Sequence, residues 1–223
     1  MEDHLLEKRW ERALRIAKFL QLAPFIRMIG VNGSMTKGKI TENSDIDFLI
    51  VSKVCRIWTN RFFITFLTHI TGKRRYGQKI AGRICLNRYH TDDFLEIFPH
   101  DEYHGKVFSK LFPVLDLENF YERYKKANSW MSSYGFQDND FPKVKPSRFL
   151  GVIRKFFEWV LSGRFGDYVE KKLGKWQKKR ILKDIRTIKA PKGRVRISDK
   201  ELCFHPIKQK THLHPKGYGR AGR

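Results

Sequence analysis

Two acidic residues one position apart, Asp45 and Asp47, open the run Asp-Ile-Asp-Phe-Leu-Ile-Val. In an extended strand, residues i and i+2 project from the same face. The two carboxylates are therefore expected side by side. Carboxylates that close resist ionising together unless a cation lies between them. Mg²⁺ (or Mn²⁺) is a hard ion that takes oxygen ligands and keeps places for water and phosphate oxygens. An acid pair of this kind suits metal-assisted phosphoryl transfer. Upstream, across ten intervening residues, Gly33-Ser34 suits the complementary task. Glycine lets the backbone approach a phosphate closely, and the Ser34 hydroxyl with nearby N–H groups can donate to it. Either piece alone is also what an ordinary turn or strand edge would supply. Their spacing together is what points to chemistry.

The flanking sequence supplies elements to hold these residues. Leu6, Trp10, Ala13, Leu14, Ala17 and Leu20 recur at steps of three and four, predicting a helix over 4–22 that Pro24 closes. Residues 25–31 are short and apolar and run into the Asn32-Gly33 turn signal, as a buried strand would. A polar loop over 35–44 leads into a second strand over 45–51, adjacent to the first. Trp58, Phe62, Phe66 and Ile70 predict a helix over 56–71 with Gly72 just past its end. A third strand is expected over 83–89, then helices over 105–111, 116–134 and 147–189, and a small hairpin around Asp199-Lys200.

The spacing of Val31-Asn32-Gly33-Ser34 and Ser44-Asp45-Ile46-Asp47-Phe48-Leu49-Ile50 resembles the signature of the DNA polymerase beta-like nucleotidyltransferase superfamily. The match is specific over residues 5–52. Further segments have counterparts in a group of bacterial proteins that share this domain: Trp58-Thr59-Asn60-Arg61, Ile84-Cys85-Leu86-Asn87, Asn128-Ser129-Trp130 and Phe204-His205-Pro206. The resemblance implies an α/β (α+β) core with a mixed sheet, followed by a mostly helical basic region. It implies transfer of a nucleoside monophosphate from an NTP to a hydroxyl acceptor with Mg²⁺. Asp45 and Asp47 would then be catalytic metal ligands, and Gly33 and Ser34 would hold the triphosphate. Lys37 and Lys39, in the intervening loop, are candidate triphosphate contacts, although lysines there are as often merely solvated. Arg61 and the Lys73-Arg74-Arg75 run carry similar odds.

The sequence departs from the superfamily at one place. Active members carry a third carboxylate on a later strand. In the strand expected over 83–89, alternation puts Arg83, Cys85, Asn87 and Tyr89 on one face, none of them acidic. Asn87 is the best positional stand-in, with Asp92 or Asp93 just beyond as the other candidates. An asparagine carbonyl can ligate a metal or orient a nucleophile but is a poor base. A nucleotide- or nucleic-acid-binding module with impaired catalysis is therefore a standing alternative. A minimal transferase that modifies a small molecule or a partner protein is another.

Composition bounds the rest. The net charge is +23 over 223 residues, and residues 143–223 hold 24 Lys and Arg against 6 Asp and Glu. Such a field attracts polyanions, so RNA or DNA is an expected partner of the basic half, and a cationic drug is disfavoured as acceptor. Three widely spaced cysteines argue against a disulfide scaffold, and no apolar run approaches a membrane span, so the cytoplasm is expected. The expected organisation is a nucleotidyltransferase core with its following helices over 1–140, a basic helical region over 141–207, and a disordered basic tail over 208–223. An apolar stripe through Phe149, Ile153, Phe156, Phe157, Val160, Phe165, Tyr168, Val169 and Leu173 is expected to pack on the core. A membrane-surface helix or a nucleic-acid guide would be its other uses. Trp130, Trp159 and Trp176 read as packing residues.

Overall fold

The computed structural model describes residues 2–137, 141–189 and 195–204. The first helix, α1 (Glu2–Leu20), buries Trp10, Ala13, Ile16, Ala17 and Leu20 along one face. β1 (Ile26–Asn32) and β2 (Ile46–Ser52) pair antiparallel in a register that sets Asn32 opposite Asp47. After α2 (Ile57–Ile70) the chain returns as β3 (Ile84–Thr91), which runs parallel to β2 with Asp47 opposite Cys85.

The six-stranded mixed sheet has the order β4-β1-β2-β3-β6-β5. Its two outer pieces were the hardest to foresee. β4 (Phe112–Asp116) falls where the sequence reads as the break between two helices, and it adds antiparallel to β1. Its Pro113 sits on an edge strand, the place in a sheet that tolerates a missing N–H. β5 (Val195–Ile197) and β6 (Glu201–Phe204) form the expected hairpin, but not by itself: β6 pairs with β3. Late residues thus complete the sheet that begins at residue 26.

Both faces of the sheet are covered. Ile29, Val31, Phe48 and Ile50 pack with α1 and α2 on one side. Met28, Leu49 and Val51 pack on the other with α3 (Glu102–Phe108), α4 (Phe120–Ala127) and a 3₁₀ turn over Ser129–Tyr134.

The stretch expected as one long helix over 147–189 is three: α5 (Arg148–Val160), α6 (Gly163–Leu182) and α7 (Ile185–Ile188). α6 lies against α2 and holds its start. Glu170 accepts from the Trp58 and Thr59 backbone N–H groups and from the Thr59 hydroxyl, each within 2.8 Å. These are N–H groups that a helix start leaves without internal partners. α5 overturns the packing expectation for its stripe. It has no buried residue, and Phe149, Val152, Phe156 and Trp159 face outward, Trp159 being 73% exposed. The physical reason is that α5 is held through few contacts, Phe157 against the Phe63 ring and Glu158 accepting from the Phe25 N–H, which leaves the apolar row uncovered. Trp176 on α6 is likewise half exposed rather than core.

Among the described residues no helix is long and apolar enough to cross a membrane. The segment 208–223, expected as a disordered tail, lies outside the described residues, as do 138–140 at the expected boundary.

Candidate active site

The acid pair sits where β1 ends and where the parallel strands β2 and β3 begin. Asp45 directly precedes β2 and is buried, whereas Asp47 lies one residue inside it and is half-buried. Carboxylate oxygens of Asp45 and Asp47 and the Cys85 sulfur all lie within 4.8 Å of one another. The two carboxylates therefore do turn to a common point.

Gly33 makes this approach possible. Its φ of +82° is a conformation L side chains rarely adopt, and a Cβ built there would stand 2.6 Å from Asp47 Oδ2. The same turn is closed by Thr36 Oγ1 on the Gly33 carbonyl and by the Lys39 N–H on the Ser34 carbonyl. Gly33→Ala is expected to displace the Asp47 carboxylate and to cost about 1 kcal/mol or more of stability through backbone strain. Thermal melting with and without Mn²⁺ checks both effects, since a displaced carboxylate also reduces any metal-dependent rise in Tm.

β3 contributes two groups. Paired residues in a ladder share a face, so Cys85 stands on the side of Asp47. A bulge follows, because Phe48 pairs with Leu86 but Leu49 pairs with Arg88. Asn87 is the extra residue, and the alternation expected over 83–89 breaks there: Tyr89 joins the α1–α2 side, while Arg88 turns to the other. Asn87 Nδ2 donates to Asp47 Oδ1 at 2.8 Å. Its own Oδ1 is buried with no hydrogen-bond partner. Asp92 and Asp93, the other candidates for the third position, lie past the opposite end of β3. Asp92 binds the Val54 N–H and Arg27, and Asp93 takes the Thr91 hydroxyl and Lys200.

Arg75 is the residue that sequence reasoning underweighted, naming it only within a basic run. Residues 73–75 bridge to the start of β3, through Ile84 N–H to the Lys73 carbonyl and Arg75 N–H to the Ile84 carbonyl. This places Arg75 Nη1 2.5 Å from Asp45 Oδ2 and 3.7 Å from Cys85 Sγ. Burial works against the Arg75 charge, but Cys85 and Asp45 outweigh it and raise its proton affinity. The Cys85 thiol is pushed far up by burial and then by Asp47 and Asp45, so it stays protonated. Only the adjacency of a basic run to a strand start signalled Arg75 in the sequence, and nothing there fixed its partner.

The remaining candidates do not converge on the pair by any direct bond. Lys37 and Lys39 are exposed on the loop after Ser34. Desolvation by surrounding protein, then the ammonium groups of Lys39 and Lys106, hold Lys37 below its ordinary value. That loop is a patch of concentrated positive charge.

Residues 11–84 match the family described as a nucleotidyltransferase domain. That match supports placing this segment in the polymerase beta-like nucleotidyltransferase superfamily. No curated protein and no solved structure matches it. The matched segment runs from α1 to the first residue of β3 and so includes Gly33, Ser34, Asp45, Asp47 and Arg75. The domain's general chemistry is nucleoside monophosphate transfer, and its substrates are NTPs. Families of this kind typically use divalent metals. The donor set here fits a hard cation: two carboxylates and the unpartnered Asn87 carbonyl are oxygens, and the protonated thiol is a poor competitor. The Arg75 guanidinium holds one of those carboxylates and would have to yield part of it.

Proposed function

We propose that the protein transfers a nucleoside monophosphate from an NTP to an acceptor hydroxyl and releases pyrophosphate. Asp45 and Asp47, with the Asn87 carbonyl in the third position, would hold Mg²⁺ or Mn²⁺. Gly33, Ser34, Lys37 and Lys39 would hold the triphosphate. The observation that carries this reading is the buried, unpartnered Asn87 Oδ1 beside two convergent carboxylates. A buried carbonyl oxygen without a partner costs on the order of 1–3 kcal/mol. A ligand that satisfied it would recover that energy.

In this reading the acceptor oxygen attacks the α-phosphorus in line, forming one P–O bond as the bond to the β-phosphate oxygen breaks. The cation, when bound, neutralises charge on the transferring phosphoryl group. The chain's own part is positioning and electrostatics. Gly33 admits the triphosphate close to the backbone. Ser34 and the loop lysines offset its charge. Asn87 Oδ1 accepts a hydrogen bond from the attacking hydroxyl or ligates the cation, but takes no proton. The hydroxyl proton passes to Asp47 or to water. The strongly positive second half favours a polyanionic acceptor.

A second reading rests on Arg75 and Asn87: a cationic side chain already neutralises Asp45, and no carboxylate occupies the third position. Such a site would bind nucleotides without transferring them. Incubating the full chain with each α-labelled NTP, Mn²⁺ or Mg²⁺, and RNA, DNA and protein acceptors separates the two. Label on an acceptor with matching pyrophosphate release is the expected result. Metal-dependent nucleotide binding with neither product would overturn the transfer reading and favour the second.

A further inference from the structure

We propose that the groove between α2 and α6 receives a single-stranded polynucleotide end and delivers its terminal hydroxyl to the acid pair. This inference rests on the transfer reading above and names its acceptor. A cavity of about 180 Å³ is lined by Arg75, Cys85 and Asn87, the groups that surround the acid pair. Arg61, Arg74, Ile181 and Asp184 line it too, and the same four residues, with Arg75, line a larger cavity of about 840 Å³. The two cavities adjoin at these shared residues, and the inner one reaches Cys85 and Asn87 beside Asp47.

The chemistry of the path is that of an unpaired strand. Arg61, Arg74, Arg75 and Arg180 line it, against the single carboxylate of Asp184. Arg61 sits at the junction of the two cavities. Its guanidinium bonds Gln177 Oε1 and lies over the Tyr89 and Phe204 rings, while its Nε is buried without a partner. Burial and the nearby Arg74 and Arg180 charges work against this cation, so an anion placed there is favoured. The outer part of the groove adds aromatic faces. Phe66 and Trp176 are about half exposed, at 53% and 51%. Phe62 and Phe66 lie nearly parallel, Phe62 meets Trp176 edge-on, and Arg180 lies over the Trp176 ring.

Cations that track a phosphate backbone beside exposed rings on which bases stack are the features of single-strand binding sites. Duplex bases offer no free faces to such rings. A bilayer is equally unsuited, because the charged lining is concave.

The test uses the full chain with fluorescein-labelled twelve-residue RNA and DNA strands, their duplexes, and polyglutamate as a general polyanion. Anisotropy is read across a salt series. The expected result is preference for a single strand over duplex and polyglutamate. Trp176→Ala and Phe66→Ser, both exposed, should each weaken that binding at least fivefold. Arg61→Gln with Arg180→Gln should flatten the salt dependence by about one logarithmic unit or more, at roughly 0.7 per phosphate contact. Metal-dependent NTP affinity in the exposed-ring variants should stay unchanged. The RNA and DNA arms show whether the 2′-hydroxyl is required. Equal binding of polyglutamate, or unchanged strand affinity in Trp176→Ala and Phe66→Ser, would overturn the groove assignment and leave the transfer reading standing. Strand binding as expected, with no nucleotide added to the strand, would refute the acceptor role and count against transfer itself.

Discussion

Replacing Asp45 and Asp47 together by asparagine is expected to abolish metal-dependent nucleotide transfer while leaving the fold intact. A bound cation supplies several kcal/mol of charge stabilisation in phosphoryl transfer. At about 1.4 kcal/mol per tenfold, the expected loss in kcat is about 10³-fold or more. The two side chains are not equivalent. Asp45 is buried and carries Arg75, so its single replacement also strands a half-buried guanidinium. Asp47 is tied to Asn87 and abuts Gly33, so its loss removes the group that orients the third position. Wild-type protein should gain thermal stability from Mn²⁺ plus NTP by mass action, and the double variant should not. If metal-dependent nucleotide affinity survives the double replacement, the acid pair is not the cation seat and the proposed function falls with it.

The largest stability effect is expected at Glu201, far from that chemistry. Its carboxylate accepts from Arg88 Nη2 at 2.6 Å and from Arg196 Nε and Nη2 at 2.8 and 2.7 Å. The Arg88 side chain is fully buried, so Glu201→Gln leaves a charge with no counter-ion in the interior. Breaking a buried pair from one side costs about 3–5 kcal/mol. For a chain of this size that corresponds to a Tm lower by roughly 10 °C.

The same network sets the acid response. Burial pushes the Glu201 carboxyl up, but Arg196, then His90 and Arg88, outweigh it and hold it down to about 2. Burial first, then Arg88, pushes His90 down to about 3, and its Nε2 accepts from Arg88 Nε while Nδ1 faces the Phe94 carbonyl. Both folded values lie below the unfolded ones. In each case the unfolded chain binds its proton first as pH falls. Stability should therefore decline from about pH 6.5 as His90's share is lost, and more steeply below about pH 4.5 as Glu201's share follows. Urea unfolding from pH 7 to pH 3 measures this. Glu201→Gln should flatten the lower part of the profile, and an unchanged profile would show that the network does not govern it.

The order helix, strand, strand, helix, strand was legible because each early element keeps one clean period. The α1 stripe repeats at three and four, and β1 and β2 are apolar runs bounded by a glycine turn. The Asp-x-Asp spacing gave the convergence of the carboxylates directly. Three features were not legible, each because a non-local partner decides it. β4 is five residues with a proline, and only pairing with β1 makes it a strand. The bulge at Asn87 leaves no local mark, yet it separates Tyr89 from the face of Cys85. Arg75 owes its place to a backbone bridge with residue 84. The α5 stripe has the periodicity of a core helix although its outer row faces solvent, and periodicity cannot tell a covered face from an uncovered one.

The way Glu170 and β6 fasten onto α2 and β3 bears on how portable the matched segment is. Excised at the end of the matched segment, or near residue 142, the piece would carry away the Asp45 and Asp47 pair. It would leave behind the acceptor for the Trp58 and Thr59 amides, the counter-ion of Arg88 and the strand that shields β3. The distal residues are thus part of the scaffold around the acid pair rather than an interchangeable attachment. Grafting a different second half onto the first 140 residues would require that those three fastenings be rebuilt.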